Sequence, residues 1–296
     1  MRTNIVYQGA DELSYVIREI VEFGMELKAL GQEMIWENIG DPVAKGEKIP
    51  AWIKELIAEA LKDDKTFAYS PTKGLLETRQ FISAQRARDG GRVLDPEDIL
   101  FFNGLGDAVS KVYTYLNKNA RILGPSPAYP THSSAEAGHA GGPHLTYELN
   151  PKRNWLPDLN DLRNKVAYNP SIAGILIINP DNPTGMIYPK SVLKEIVAIA
   201  KEYDLFLVCD EIYSNIYYGD EPFVPLSKLL DGPSRLGSQA EAGVPAIIMK
   251  GLSKEVPWPG ARCGWIEVYN KNGDPVFARY IKTINDAKML EVCSTT

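Results

Sequence analysis

Lys254 closes the run Gly251-Leu-Ser-Lys254 directly after the apolar segment 246–249, and Arg262 follows in Pro259-Gly-Ala-Arg262. A lysine delivered at the carboxyl end of a strand, with an arginine close behind, suits an amine that condenses with a carbonyl beside a bound phosphate. Upstream, Asp210-Glu-Ile-Tyr213 and Asn179-Pro-Asp-Asn182-Pro-Thr-Gly185 stand after two further apolar runs. A carboxylate at the end of a buried strand is desolvated and needs a cationic or hydrogen-bonding partner. A protonated ring nitrogen would satisfy Asp210 and would let that ring draw electrons from a substrate carbanion; a helix N-cap beginning near Glu211 is the other reading.

Asn103-Gly104-Leu105-Gly106 opens a helical pattern, where free backbone N–H groups and the positive end of the helix dipole attract phosphate. The dinucleotide-binding fingerprint fails because Val109 stands where its third glycine belongs. A tight strand-to-helix turn explains the same residues. Lys254 loses its charge at little cost in a desolvated, cation-rich pocket, and its freed amine can carry a proton at a substrate carbon. Arg262 can meet a phosphate with two parallel hydrogen bonds, or make a surface ion pair. Tyr129, in Pro125-Ser-Pro-Ala-Tyr-Pro130, can lay its ring on a flat heterocycle or pack in the core. Asn182 and Tyr213 can donate to a phenolic oxygen, although an asparagine between prolines also suits a plain turn. His132, His139 and His144 fall in a segment that reads as a Gly- and Ser-rich loop, without metal-ligand spacing.

The elements that must position these groups begin with a helix over 11–30, stopped by Gly31. Short helices are predicted over 52–61 and 75–87. Strand and helix then alternate: strands at 99–102, 121–123, 145–149, 174–178, 205–209 and 246–249, with helices from Asp107 and after Pro189. A further strand at 263–268 follows so closely that it suits an antiparallel course, and 275–292 reads as a long helix. Continuous apolar strands between amphipathic helices predict an α/β fold, a mostly parallel sheet covered on both faces. Ligands of such sheets bind beyond the carboxyl ends of the strands. Gly104, Tyr129, Asn182, Asp210 and Lys254 all take that position, which predicts one shared pocket.

The bulk figures narrow the partners. With 296 residues, 44% hydrophobic and 24% charged, the chain can bury a sizeable core as one large domain or two ordinary ones. A net charge of −6 argues against a nucleic-acid partner. No apolar run reaches bilayer-crossing length, and the start lacks a signal-peptide pattern. Cys209, Cys263 and Cys293 are too scattered for a disulfide framework, which points to a reducing cytoplasm.

These motifs, in this order, resemble the large domain of fold-type I, pyridoxal-phosphate-dependent class I/II aminotransferases, most like the alanine aminotransferase branch. The resemblance covers nearly the whole chain. It implies a three-layer α/β/α fold, with 1–45 as an N-terminal helix and substrate-side loop, 46–270 as the cofactor-binding large domain, and 271–296 as the start of an incomplete small domain. It implies the cofactor pyridoxal 5′-phosphate, joined as an imine to Lys254, with Asp210 at the pyridine nitrogen, Asn182 and Tyr213 at the phenolic oxygen, and Tyr129 stacked on the ring. Leu105 and Gly106 backbone, Ser253 and Arg262 match phosphate contacts. Tyr69 resembles a residue that reaches the neighbouring subunit's phosphate, which implies a homodimer. Gly40, in Ile39-Gly-Asp-Pro42, borders the substrate together with Asn182. Many relatives carry a serine where this chain has Gly251. The expected activity is transfer of an amino group between an amino acid and a 2-oxo acid. A lyase or synthase shares the same cofactor residues, and a non-catalytic cofactor-binding protein is the third reading. Family members continue into a smaller domain that supplies the arginine for the substrate carboxylate, so a fragment or truncated product is expected here.

Overall fold

The computed structural model describes residues 5–38, 40–92, 94–218, 222–230 and 243–290. In chain order its helices and strands are α1 (Val16–Ala29), α2 (Ala51–Ala60), α3 (Leu76–Arg88), β1 (Ile99–Asn103), α4 (Leu105–Thr114), β2 (Arg121–Ser126), α5 (Pro130–Ala140), β3 (Thr146–Asn150), β4 (Leu156–Pro157), α6 (Leu159–Tyr168), β5 (Ile172–Ile178), α7 (Lys190–Glu202), β6 (Phe206–Asp210), β7 (Ala246–Gly251), α8 (Leu252–Glu255), β8 (Cys263–Tyr269) and α9 (Pro275–Lys288). The strands form one sheet in the order β1-β8-β7-β6-β5-β2-β3-β4. Neighbours from β7 through β3 run parallel, while β8 runs against both β1 and β7, and β4 against β3. The antiparallel course expected for 263–268 is therefore present.

Period-2 alternation explains why the strands read as unbroken apolar runs. Ile175, Ile177, Leu207, Cys209, Ala246 and Ile248 face one core with side chains of α3, α6 and α7. Leu176, Ile178, Val208, Ile247 and Met249 face the other with α4 and α9. Both faces are buried, so every position along β5, β6 and β7 favours an apolar residue. Burial of each such side chain contributes roughly 1.5–3 kcal/mol, more than any local propensity could oppose.

Several elements differ from the sequence reading, which also left out β4 and α8. The helix expected over 11–30 is split into a short 3₁₀ turn, Ala10–Glu12, and α1. Leu13, Val16 and Ile20 are largely exposed while Ile17 and Leu27 are half-buried, so its stripe is only partly covered. The segment read as a Gly- and Ser-rich loop holds α5, which carries His132 and His139, while His144 lies in the connection beyond. Its signature is Pro130 in the first turn and Gly141, left-handed, just past the end, with hardly an apolar stripe between. The sequence reading also passed over α6, whose start is fixed by Asp158 accepting the N–H groups of Asn160 and Asp161 at 3.0 and 3.1 Å. The last helix is described to Lys288; Glu291 to Thr296, with Cys293, and Ile39 lie outside the described residues. Among the described residues no helix is long and apolar enough to cross a membrane.

Candidate functional site

Parallel register gathers the site residues along one rim of the sheet. Ile178 at the end of β5 pairs with Asp210 at the end of β6, and Asp210 pairs with Met249 near the end of β7. Asn179–Gly185, Glu211–Tyr213 and α8 therefore leave the sheet side by side. On the far side Asn103, at the end of β1, pairs with Cys263, the first residue of β8. Reversal of β8 brings Arg262 to the same rim.

Asp210 is buried, with one carboxylate oxygen accepting the Ile212 N–H at 3.0 Å. That bond is the turn-capping role weighed from sequence. Its other oxygen lies 3.1 Å from Nε2 of His132, itself buried on α5. An ionised carboxylate only accepts, so Nε2 donates to it. Nδ1 is buried and has no hydrogen-bond partner among the described residues. His132 is a residue that sequence reasoning missed. The rings of Tyr113 and Tyr129 stand edge-on to its imidazole, with centroids 6.3 and 6.4 Å away, and fix its plane. Tyr129 caps α5 at the mouth of the site and shares a side-chain hydrogen bond with Tyr15, a second residue not singled out beforehand.

Asn182 and Tyr213 are brought together, the amide Nδ2 donating to the phenol oxygen at 3.5 Å. Burial first, then Asp210 and Tyr129, push the Tyr213 hydroxyl up to about 12, so it keeps its proton at neutral pH and can donate. The Lys254 amine lies 5.8 Å from the Tyr213 ring centroid and donates to the Gly40 carbonyl. Ser253 is half-buried beside it in α8. Gly251 has an extended backbone, yet a Cβ there would lie 2.9 Å from the Cys263 carbonyl and 3.1 Å from Ile212. Close packing of β7 on β8 thus accounts for glycine at a position where the family resemblance leads one to expect serine.

At the other end of the site, α4 begins at Leu105 with no side-chain cap on its first turn. The Asp107 carboxylate turns back to accept the Asn103 N–H at 3.0 Å. Gly104 has φ +81°, and a Cβ there would fall 2.3 Å from Nη2 of Arg262. The guanidinium also donates to the Asn103 and Pro259 carbonyls, at 3.2 and 3.1 Å. Open space surrounds Gly106. An uncapped helix start, a guanidinium pressed to its glycine and an unobstructed approach make a cradle for an anion.

Tyr69 does not join this group: it is 94% exposed on the surface of the single chain. Among the described residues, no group of three or more His, Cys, Asp or Glu side chains gathers to hold a metal.

Asp181 fixes the turn that presents Asn182. Its Oδ2 accepts the Thr184 hydroxyl and N–H at 2.5 and 3.2 Å. Burial outweighs those bonds and pushes its carboxyl up from 3.8 to about 6. A raised folded value means the folded chain holds the proton more tightly than the unfolded one. The resulting stability is fully present below about pH 4 and is lost as pH rises through about 6. Roughly two pKa units correspond to about 3 kcal/mol. Asp181→Asn should therefore gain stability relative to the parent, by up to about 3 kcal/mol, between pH 4 and 7.5. Urea unfolding at both pH values tests this; parallel pH dependences would dismiss the assignment.

Comparison with known proteins bears on this geometry. The sequence matches the family described as aminotransferase class I and II over residues 33–293. It is 54% identical over 296 residues to an uncharacterised aminotransferase of Methanocaldococcus jannaschii, covering 100% of this chain and 66% of that protein. It is 31% identical over 288 residues to the glutamate-pyruvate aminotransferase AlaA of Escherichia coli K12, covering 96% and 66%. The chain thus spans about two thirds of the length of these relatives. In structure it is similar to alanine aminotransferase from Pyrococcus furiosus, with a TM-score of 0.85 and 29% identity, covering 100% of this chain and 70% of the other.

Proposed function

We propose that this chain, which belongs to the class I and II aminotransferase family, serves in moving an amino group between an amino acid and a 2-oxo acid with pyridoxal 5′-phosphate. The observation that carries the reading is one rim holding a lysine amine, a buried carboxylate–imidazole pair and an uncapped helix start with its arginine. The donor set fits the cofactor end to end. Lys254 offers the amine, Asp210 a base for the ring nitrogen, and Tyr213 with Asn182 two donors for the phenolic oxygen. Leu105 and Gly106 N–H groups, Ser253 and Arg262 answer the phosphate.

When bound, pyridoxal phosphate supplies the electron sink that stabilises a substrate carbanion. The protein's own work is binding and proton handling. Asp210, held in place by His132, fixes a proton on the ring nitrogen. Lys254 Nζ takes the proton from the substrate α-carbon as general base and returns it as general acid. Tyr129, at the start of α5, would lie against the ring and exclude water. Gly40 and Asn182 border the substrate.

The surrounding organisation follows the same reading. In this reading residues 46–270 form the cofactor-binding domain with 1–45 on the substrate side, and α9, whose Phe277, Ile281 and Ile284 are buried in the sheet's core, packs with that domain rather than beginning a smaller one. Exposed Tyr69 suits a place at a partner's site in a homodimer, and cysteines scattered along the chain suit a reducing cytoplasm.

Two measurements test the function. Mixing the protein and cofactor with candidate amino acids should yield pyridoxamine phosphate and the matching 2-oxo acid; ammonia or an olefinic product instead would favour a lyase. Gly104→Ala should weaken cofactor binding at least about tenfold, because the positive φ resists a side chain and the new methyl displaces Arg262. Fluorescence titration that returns the parent's affinity would remove the phosphate assignment from this cradle.

A further inference from the structure

Behind the catalytic rim lies a polar chain, buried at Lys250, Glu211 and Ser214 and reaching the surface at Asn215, that the transfer chemistry above does not use. Lys250, on β7, is buried and sits 2.8 Å from the Glu211 carboxylate. The same Nζ donates to the Ser214 hydroxyl at 3.2 Å. An ammonium has no lone pair to offer, so the serine oxygen must accept there and its own proton points elsewhere. That proton goes to Oε1 of Glu255. The second oxygen of Glu255 takes the Asn215 amide at 2.7 Å. Both oxygens of Glu255 are thereby committed, and Glu255 is the residue next to Lys254 in the one-turn helix α8.

The positions matter because an amine works as nucleophile and base only while it can shed its charge, and a nearby carboxylate holds the charge on. Other groups near the Lys254 amine are the Tyr213 ring and the Gly40 carbonyl, with Asp210 turned to His132. Glu255 is the nearest carboxylate in sequence, and α8 is too short to fix its direction by itself. Burial pulls the Lys250 pKa down, but Glu211 and then Glu267 outweigh it and push it above the ordinary lysine value.

We propose that Ser214 and Asn215, backed by the Lys250–Glu211 pair, act as positioning residues that clamp the Glu255 carboxylate away from the Lys254 amine. The clamp has a purpose for catalysis only if Lys254 is the reacting amine, as the proposed function holds. In this arrangement three site residues are each followed by a member of the chain: Asp210 by Glu211, Tyr213 by Ser214, and Lys254 by the clamped Glu255. Side chains alternate between the rim and the tissue of bonds behind it.

The experiment labels the cofactor-free 296-residue chain with trace acetic anhydride at pH 8 and reads the Lys254 rate against other lysines by mass spectrometry. Ser214→Ala/Asn215→Ala should slow Lys254 labelling about fivefold or more, because the released carboxylate pairs with the ammonium. Adding Glu255→Gln to that double variant should restore the parent rate, which a general loosening of the fold would not do. Glu255→Gln alone should label as the parent does. An unchanged rate in the double variant, or slowing that Glu255→Gln fails to rescue, overturns the clamp. Borohydride reduction with pyridoxal phosphate is run in parallel. Rescue without any trapped adduct on Lys254 would uphold the clamp and refute the proposed function; trapping without rescue would do the reverse.

Discussion

Lys254→Ala should abolish the borohydride-stable adduct with pyridoxal phosphate and slow loss of deuterium from an α-deuterated amino acid at least about 10⁴-fold. The magnitude follows from removing one group with two roles. As a nucleophile the amine provides the only covalent attachment proposed for the cofactor. As a base, a positioned group contributes about 10²–10⁴ by itself. No other lysine is a ready substitute: Lys250 is buried and paired to Glu211 behind the rim. Intact-mass measurement after reduction reads the first effect, and deuterium washout the second. An adduct of the parent's yield in the variant would mean that the amine lies elsewhere and would remove the central assignment.

The second large effect is expected at Asp210. Asp210→Asn keeps the shape and the turn bond to Ile212 but removes the charge opposite both His132 and the proposed ring nitrogen. Breaking a buried, hydrogen-bonded pair by changing one partner costs about 3–5 kcal/mol. Expressed in the transition state, that is about 10²–10⁴ in the washout rate. Cofactor affinity should fall as well. His132→Phe should fall between the variant and the parent, because the carboxylate remains but loses its orienting partner. If Asp210→Asn washes out deuterium within threefold of the parent, the carboxylate is structural and the electron-sink argument fails with it.

Much of this arrangement could be read from residues alone, for a physical reason that also marks the limit. Ile175–Ile178 and Ile247–Met249 are buried on both sheet faces, so their strands advertise themselves without any partner being known. Asp210 and Lys254 follow such runs directly and inherit the certainty of the strand. His132 does not. It meets Asp210 across 78 residues of sequence, from a helix whose buried positions include His, Glu and Gly and therefore show no apolar stripe. Its contact exists only once α5 has docked. Gly251 was legible as a departure from the family's serine but not as a fit, since the obstruction is a carbonyl on β8. Tyr69 illustrates the converse: its motif is plain, and the single chain leaves it facing solvent.

The reversed course of β8 has a consequence for assembly. Lys254 and Arg262 both lie in the connection of one hairpin, so both reach the same rim as soon as that connection closes. Asp210 must wait for a partner 78 positions away. Loop entropy grows with the logarithm of separation, and distant pairings form slowly. The two cationic ends of the site are thus preassembled as a local unit, onto which the acidic and aromatic parts are later fitted.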